Sequence, residues 1–264
     1  MLYLSSSTKS GYQGTSKVFD WFKDTLTTIG PAEGPMFESN TIELLNKSEK
    51  HRNLIMKVLS KADLGIDQMT CTVKEISSEE LPSVIRRAVE DAFSADTLRE
   101  AFSTGDKWKS NEVVSYHKAR DDLGKETSVP FIFHMEESEG TIRLFSLIGA
   151  WIEALEAGKV LVVDELDTKL HHVLQVMLIE LFHSNDENKN AAQLIFTTHN
   201  VCLLDVDGLL RRDQVWFTEK DFKTGNTQLY SLLEFKPRKD KNMLKGYLMG
   251  RYGGLPFIRG GSLF

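Results

Sequence analysis

The run Val160 to His172, VLVVDELDTKLHH, sets two carboxylates, Asp164 and Glu165, directly behind four consecutive apolar residues. An apolar run of that length has the character of a strand buried on both faces of a parallel sheet. Open α/β sheets bind their ligands beyond the C-terminal tips of such strands. A hard cation attached to phosphates needs an oxygen ligand, usually through water, and hydrolysis needs a second carboxylate to polarise the attacking water. Asp164 suits the first task and Glu165 the second. Gln193 to Thr198 is another apolar-to-polar strand pattern, and it delivers His199, 28 residues beyond His171, to the same edge. These residue types at these places imply a nucleotide hydrolase.

One part of such a site is missing from the sequence. No stretch matches the Gly-rich loop ending in Gly-Lys-Ser/Thr that cradles phosphates. Gly11 to Lys17, GYQGTSK, comes nearest in composition. Its Lys follows Ser instead of Gly, and the preceding LSSSTKS is too polar for a buried strand, so it reads as a polar loop before a helix.

A chain of 264 residues, 41% hydrophobic and 27% charged, has the composition of a soluble globular protein of one large or two small domains. Cys71 and Cys202 are distant in sequence and outside any Cys-x-x-Cys pattern, which argues against a disulfide framework or a zinc site. Both are expected to be small buried apolar groups in a reducing cytoplasm. No apolar run reaches the length of a membrane span, and no basic-then-apolar leader opens the chain, so a cytoplasmic location without membrane contact is expected. Charge is uneven. Lys236 to Phe264 holds seven basic residues and one acid, so this tail carries +6 and the remainder −12 of the net −6. A basic tail on an acidic body can meet nucleic-acid phosphates or an acidic partner, or simply be a solvated terminus.

The first hundred residues are mostly helical by pattern and read as an appendage to the sheet. Phe19, Phe22 and Leu26 share one face of a helix that ends before Gly30, and Leu45, Leu54, Ile55, Val58 and Leu59 recur at helical spacing. Met69 to Ile76 alternates as a strand, and Leu81 to Phe102 returns to helical spacing. Two β-prone runs follow, Val113 to Lys118 and Val129 to Met135, around the charged turn Arg120 to Thr127. Ile142, Phe145, Ile148, Ile152 and Leu155 then mark an amphipathic helix stopping at Gly158. Strands at 160–163, 193–198 and 214–218, with a helix near 170–183, complete an alternating order that implies a parallel α/β sheet. The boundary between the helical region and the sheet region is expected between residues 105 and 106.

Ser138, Gly140 and Thr141 open the amphipathic helix, where small residues leave backbone N–H groups exposed to an anion. The order Ser-x-Gly-Thr and helix, apolar strand ending Asp-Glu, second strand ending in His resembles the C-terminal lobe of ATP-binding-cassette-type ATPases, a P-loop NTPase fold. Ser138 to Thr141 is similar to the signature motif, Val160 to Glu165 to Walker B, Thr168 to His171 to the D-loop, and His199 to the switch histidine. The stretches ESEGTIRLFSL, VLVVDELDTKLHH, AAQLIFTTHNVCLL, RRDQVWFTEKD and KGYLMGRYGGLPFI look like the C-terminal half of the AAA-type ATPases of bacterial abortive-infection phage defence, the AbiLi/RloA-type group. The resemblance covers Val113 to Ile258, and the helical N-terminal region looks like that group's lid insertion. Members carry Walker A in a segment ahead of everything seen here, so the chain resembles a truncated or excised half.

The resemblance implies ATP and Mg²⁺ as cofactors and a head-to-tail homodimer or higher homo-oligomer as the working form. Asp164 would hold the metal through water, and Glu165 and His199 would be catalytic. Ser138, Gly140 and Thr141, with Asp167 and His171 of the D-loop-like stretch, would bind nucleotide. A nuclease effector, and nucleic acid on the basic tail, are the further partners implied. The rival is a non-catalytic module that docks on a full-length ATPase, a nuclease or nucleic acid; a DNA-repair ATPase head would show a coiled-coil heptad run, which is not seen. Other assignments stay structural. Asp164 and Glu165 could cap the following helix, His199 could be a core histidine, and His171 and His172 with Asp167 read as surface rather than metal ligands, because adjacent helical residues diverge. Gln214, Trp216 and Gly253-Gly254 read as structural, and Arg143 as a solvent-facing helix residue.

Overall fold

A computed structural model of the chain describes residues 3–9, 11–31, 34–76, 108–221, 223–236 and 242–255. They fall into two compact units, residues 1–31 with 154–264, and residues 32–153. The boundary expected at residues 105 and 106, and the helical pattern from Leu81 to Phe102, lie outside the described residues.

The first unit is built on a three-stranded parallel sheet in which β1 (Leu26–Ile29), β5 (Val160–Val163) and β6 (Gln193–Phe196) lie side by side with β5 central. Register pairs Ile29 with Val163 and Val163 with Phe196. Leu161 and Val163 are fully buried while Val160 and Val162 are half-buried, as the two-residue period of a strand requires. Helix α2 (Gln13–Asp24) packs beside β1, and α7 (His172–His183) beside β6. The parallel α/β sheet flanked by helices was expected; the membership of β1 was not. Leu26 leaves the helix that Phe19 and Phe22 begin, because α2 ends at Asp24 and the backbone of Thr25 to Ile29 bonds instead along β5, Val160 N–H to Thr25 and Asp164 N–H to Ile29.

The same unit holds a hairpin of β7 (Trp216–Lys220) and β8 (Thr227–Ser231). Its inner face rests on α8 (Met243–Leu248): Phe217 stacks on Tyr247 at 5.3 Å, and Val215, Leu232 and Tyr252 form a buried cluster. Residues 242–255 of the basic tail are therefore folded rather than a solvated arm. Cys202 also departs from expectation. It is exposed, on a 3-10 turn whose start is held by Asn200 Oδ1 accepting the Cys202 N–H at 3.1 Å, and Cys71 is only half-buried.

The second unit combines helices α3 (Gly34–Lys47) and α4 (Glu49–Lys61) with an antiparallel meander of β2 (Ile66–Ile76), β3 (Trp108–Arg120) and β4 (Glu126–Ile132). Ser48 separates α3 from α4 as an N-cap, its Oγ accepting the His51 N–H. The strand expected as far as Met135 stops at Ile132. Its last residues instead form a short turn of helix, α5 (Phe133–Glu136), closed by Glu136 accepting the Ile132 N–H at 2.5 Å.

Helix α6 (Glu139–Ala157) follows, and the division between units falls inside it. It is not amphipathic. Every residue from Arg143 to Ile152 is buried, the pattern of a helix surrounded by protein. Thr41 of α3 comes so close that its Oγ accepts the Gly149 N–H at 3.0 Å, and a Cβ at Gly149 would stand 2.9 Å from the Thr41 backbone. At its far end α6 stops at Gly158, φ +67°, where Asn190 Nδ2 donates to the last-turn carbonyls of Leu155 and Glu156.

Candidate active site at the parallel sheet edge

Strands β5 and β6 end together, and their tips place Asp164, Glu165, Asp167 and His199 at one edge. The link is Thr197. Its hydroxyl donates to Asp164 Oδ1 at 2.5 Å and accepts the Glu165 N–H at 2.8 Å, so one side chain just beyond β6 fixes the direction of both carboxylate-bearing residues just beyond β5. Backbone bonds continue the join, Thr197 N–H to Val163 and Leu166 N–H to Thr197.

Glu165 adopts a left-handed φ of 51°, uncommon for a residue with a Cβ and costing about 1–2 kcal/mol. That conformation ends the strand pleat and turns the chain back on itself. The Thr168 N–H reaches the Glu165 carbonyl at 3.0 Å, and the Thr168 hydroxyl donates to Glu165 Oε2 at 3.1 Å. One oxygen of Glu165 is thus held while Oε1 has no partner in this turn. Asp164 is exposed and Glu165 half-buried, which leaves the first open to hydrated ligands.

His199 is tied in by its backbone, its N–H donating to Asp167 Oδ1 at 3.1 Å, and its imidazole is exposed. The next residue anchors it from behind: Asn200 Nδ2 donates to Gln175 Oε1 at 2.8 Å and lies 3.0 Å from His172 Nδ1, and buried Gln175 donates to the Leu170 carbonyl. His171 caps α7, its Nδ1 accepting the Val173 N–H at 3.3 Å. Among the described residues, no group of three or more His, Cys, Asp and Glu side chains is arranged around a metal. Asp164, exposed beyond the strand tip, is the carboxylate here that could hold a hydrated cation such as Mg²⁺.

Ser138, Gly140 and Thr141 stand in the other unit, at the start of α6. Ser138 Oγ accepts the Thr141 N–H at 3.1 Å and lies 2.9 Å from the Thr141 hydroxyl, an N-cap arrangement. The segment before it is clamped to β3. Glu137 Oε1 accepts from the Ser115 hydroxyl at 2.5 Å and meets His117 Nε2 at 2.6 Å. One turn earlier, His134 Nε2 meets Glu38 Oε1 of α3 at 2.8 Å, and this hydrogen bond holds the His134 imidazole above its ordinary pKa against the opposing effect of burial. Arg143 corrects the sequence reading outright. It is 5% exposed rather than solvent-facing, and burial lowers its pKa.

Thr197, Gln175, Asn200 and Glu137 are site-supporting residues that sequence reasoning passed over. Thr197 sits in the polar end of LIFTTH, and only the pairing of β5 with β6 distinguishes it from Thr198. Of Gly11 to Lys17, by contrast, only Gly11 and Tyr12 link helix α1 (Tyr3–Lys9) to α2, and Gln13 to Lys17 form the start of α2, so the stretch expected to be a polar loop is mostly helix, follows no strand and lacks the phosphate-cradle architecture.

A parallel α/β sheet with paired carboxylates at the tip of its central strand is the form of a P-loop NTPase-like AAA domain. Residues 45–205 match the family described as "AAA domain, putative AbiEii toxin, Type IV TA system", and the chain belongs to that family. No curated protein and no solved structure matches the chain. Membership carries ATPase-like function and the family's general use of ATP and Mg²⁺. Among the described residues, no helix is long and apolar enough to cross a membrane.

Proposed function

We propose that this chain is the signature-and-Walker-B part of an ATPase that hydrolyses ATP to ADP and phosphate, with the phosphate cradle contributed by a polypeptide segment outside these 264 residues. The observation that carries the reading is the Thr197 bridge, which orients an exposed Asp164 and a half-constrained Glu165 at one strand tip. Mg²⁺ bound to ATP supplies charge neutralisation at the phosphates. Asp164 holds the ion's water shell, Glu165 takes the proton of the attacking water, and His199 orients that water. Asp167 fixes the His199 backbone, while His171 and Asp167 border the nucleotide. Ser138, Gly140 and Thr141 act on the nucleotide of a second subunit in a head-to-tail dimer, where the α6 dipole favours negative charge.

Within the N-terminal region to residue 105, the segment up to Pro31 supplies β1 to the catalytic sheet and the segment after it serves as a lid or insertion, with residues 106–264 as the catalytic lobe. The biological setting is abortive-infection defence in the bacterial cytoplasm, in keeping with the toxin–antitoxin description of the family. Its effector is a nuclease, and exposed Lys236, Lys245 and Arg251 offer contacts to nucleic acid.

Catalysis of phosphoryl transfer is positioning plus charge stabilisation, so the cradle is indispensable. The 264-residue chain alone should release phosphate from ATP at buffer background. Adding a segment that bears the Gly-rich loop should start Mg²⁺-dependent release that Glu165→Gln abolishes. Steady release from the chain alone, lost in Glu165→Gln, would contradict the division of the site.

A further inference from the structure

Arg143 is the least satisfied charged group among the described residues. Its Nε, Nη1 and Nη2 are all closed off from solvent and none has a hydrogen-bond partner. No carboxylate raises its pKa; burial alone acts on it, and acts downward. A guanidinium stays protonated at any ordinary pH, so the five N–H donors and the charge persist inside the protein. Burying such a group unpaired costs several kcal/mol, and an anion that forks onto it recovers much of that.

The position of Arg143 on α6 says where that anion would sit. Long side chains on a helix lean toward its N-terminus and cover the turn before their own, which for Arg143 is Glu139 and Gly140. The first N–H groups of any helix lack intrahelical acceptors and collect positive potential. Ser138 satisfies the Thr141 N–H, one of these, and thereby fixes the terminus in place. The nearby acids are already engaged: Glu137 with Ser115 and His117, Glu136 with the Ile132 N–H, and Glu139 does not bond to Arg143. His134, Met135, Glu136, Ser138 and Glu139 are exposed, so the turn that opens α6 lies at the surface of its unit.

We infer that Arg143 is an anion-binding residue, placed behind the start of α6 to receive a phosphoryl oxyanion of a polyphosphate ligand. This rests on the reading of Ser138 to Thr141 as a nucleotide-binding turn and adds the residue that supplies the charge. The site excludes uncharged ligands, because only an anion offsets the desolvated guanidinium.

Tripolyphosphate without metal is the probe, titrated by calorimetry and by thermal melting into the full chain and into Arg143→Met, Arg143→Lys and Ser138→Ala. Arg143→Met removes an unpaired buried charge, so it should fold and melt higher than the parent when no anion is present. The parent should bind and be stabilised by tripolyphosphate, Arg143→Met should weaken that binding roughly tenfold or more, and Arg143→Lys should retain part of it. If the parent binds and both Arg143 variants match it while Ser138→Ala loses affinity, the helix-terminus reading stands and the role of Arg143 is overturned. Equal binding by all four proteins, or no binding by the parent, overturns the proposal as well. Should Arg143→Met fail to fold, Arg143→Lys decides, with unchanged affinity counting against.

Discussion

Two regions of the molecule handle charge in opposite ways. At the sheet edge of the first unit, Asp164, Glu165 and Asp167 are at or near the surface and are held by short bonds to hydroxyls and backbone N–H groups, with Thr197 central. At the start of α6 in the second unit, charged groups are drawn inward: Glu137 is clamped between Ser115 and His117, Glu38 is 8% exposed against His134, and Arg143 is buried with nothing opposite. Carboxylates at the surface of a hydrogen-bonded edge stay in contact with water, as a metal-water site needs. A buried guanidinium raises the free energy of the empty protein and repays it on ligation. One region is prepared by orientation, the other by an unmet electrostatic demand.

This contrast is broken most severely by removing chemistry from the edge. In an ATPase completed with the phosphate-cradling segment, Glu165→Gln should lower the rate of hydrolysis by about 10²-fold or more, the scale of a lost general base, with the melting midpoint little changed. A normal rate in steady-state phosphate release would remove Glu165 from the mechanism.

The next largest effect is on stability, and it falls on the buried helix. A methyl group at Gly149 meets the Thr41 backbone, so Gly149→Ala should destabilise the chain by about 1–3 kcal/mol, read from denaturant unfolding. Truncation sharpens the same point in the first unit. Ending the chain after residue 241 uncovers Val215, Leu232 and Phe217 and should abolish its cooperative melt, whereas ending it after 255 should preserve it. A folded protein from the shorter form would return the tail to the status of a solvated arm.

Smaller again is Thr197→Val, which keeps shape and removes the bridge. The loss should be about 1 kcal/mol, because the freed groups are open to water, while the completed enzyme should lose more activity than that stability change accounts for. The smallest effect is on pH. His134 has a raised folded pKa through Glu38, so the pair contributes fully below the unfolded value near 6.5 and its contribution is lost as pH rises through the folded value. Solvent at the half-exposed His134 screens the pair, so the slope is shallow. His134→Gln should flatten the stability profile between pH 6 and 8; an unaltered profile would show that the pair does not titrate with folding.

Legibility in the sequence followed burial pattern. VLVV and LIF announced β5 and β6 because short uniform apolar runs between polar turns fit a parallel sheet, and the carboxylates and His199 came with them. Leu26 to Ile29, LTTI, was hidden because Leu26 also completes a helical face with Phe19 and Phe22, and only pairing with β5 decides between the two. Thr227 to Ser231, TQLYS, carries too little apolar character to announce β8; it is a strand because Trp216 to Lys220 supplies the backbone partners. Arg143 was misread for a general reason. Charge in a helix argues for solvent, and nothing local in EGTIRLF reports that α6 is enclosed on all sides. Thr197 and Glu137 act through partners 33 and 22 residues away, distances that no local spacing encodes.

The central claim is that the sheet edge divides its labour between a metal-holding Asp164 and a proton-accepting Glu165. Equilibrium retention of radiolabelled ATP with Mg²⁺, measured on the completed ATPase and on its Asp164→Asn and Glu165→Gln variants, separates the two roles. The account predicts that Glu165→Gln retains ATP unhydrolysed at least as well as the parent, while Asp164→Asn loses Mg²⁺-dependent retention. Equal loss of nucleotide in both variants, or turnover of the retained ATP in Glu165→Gln, would contradict it.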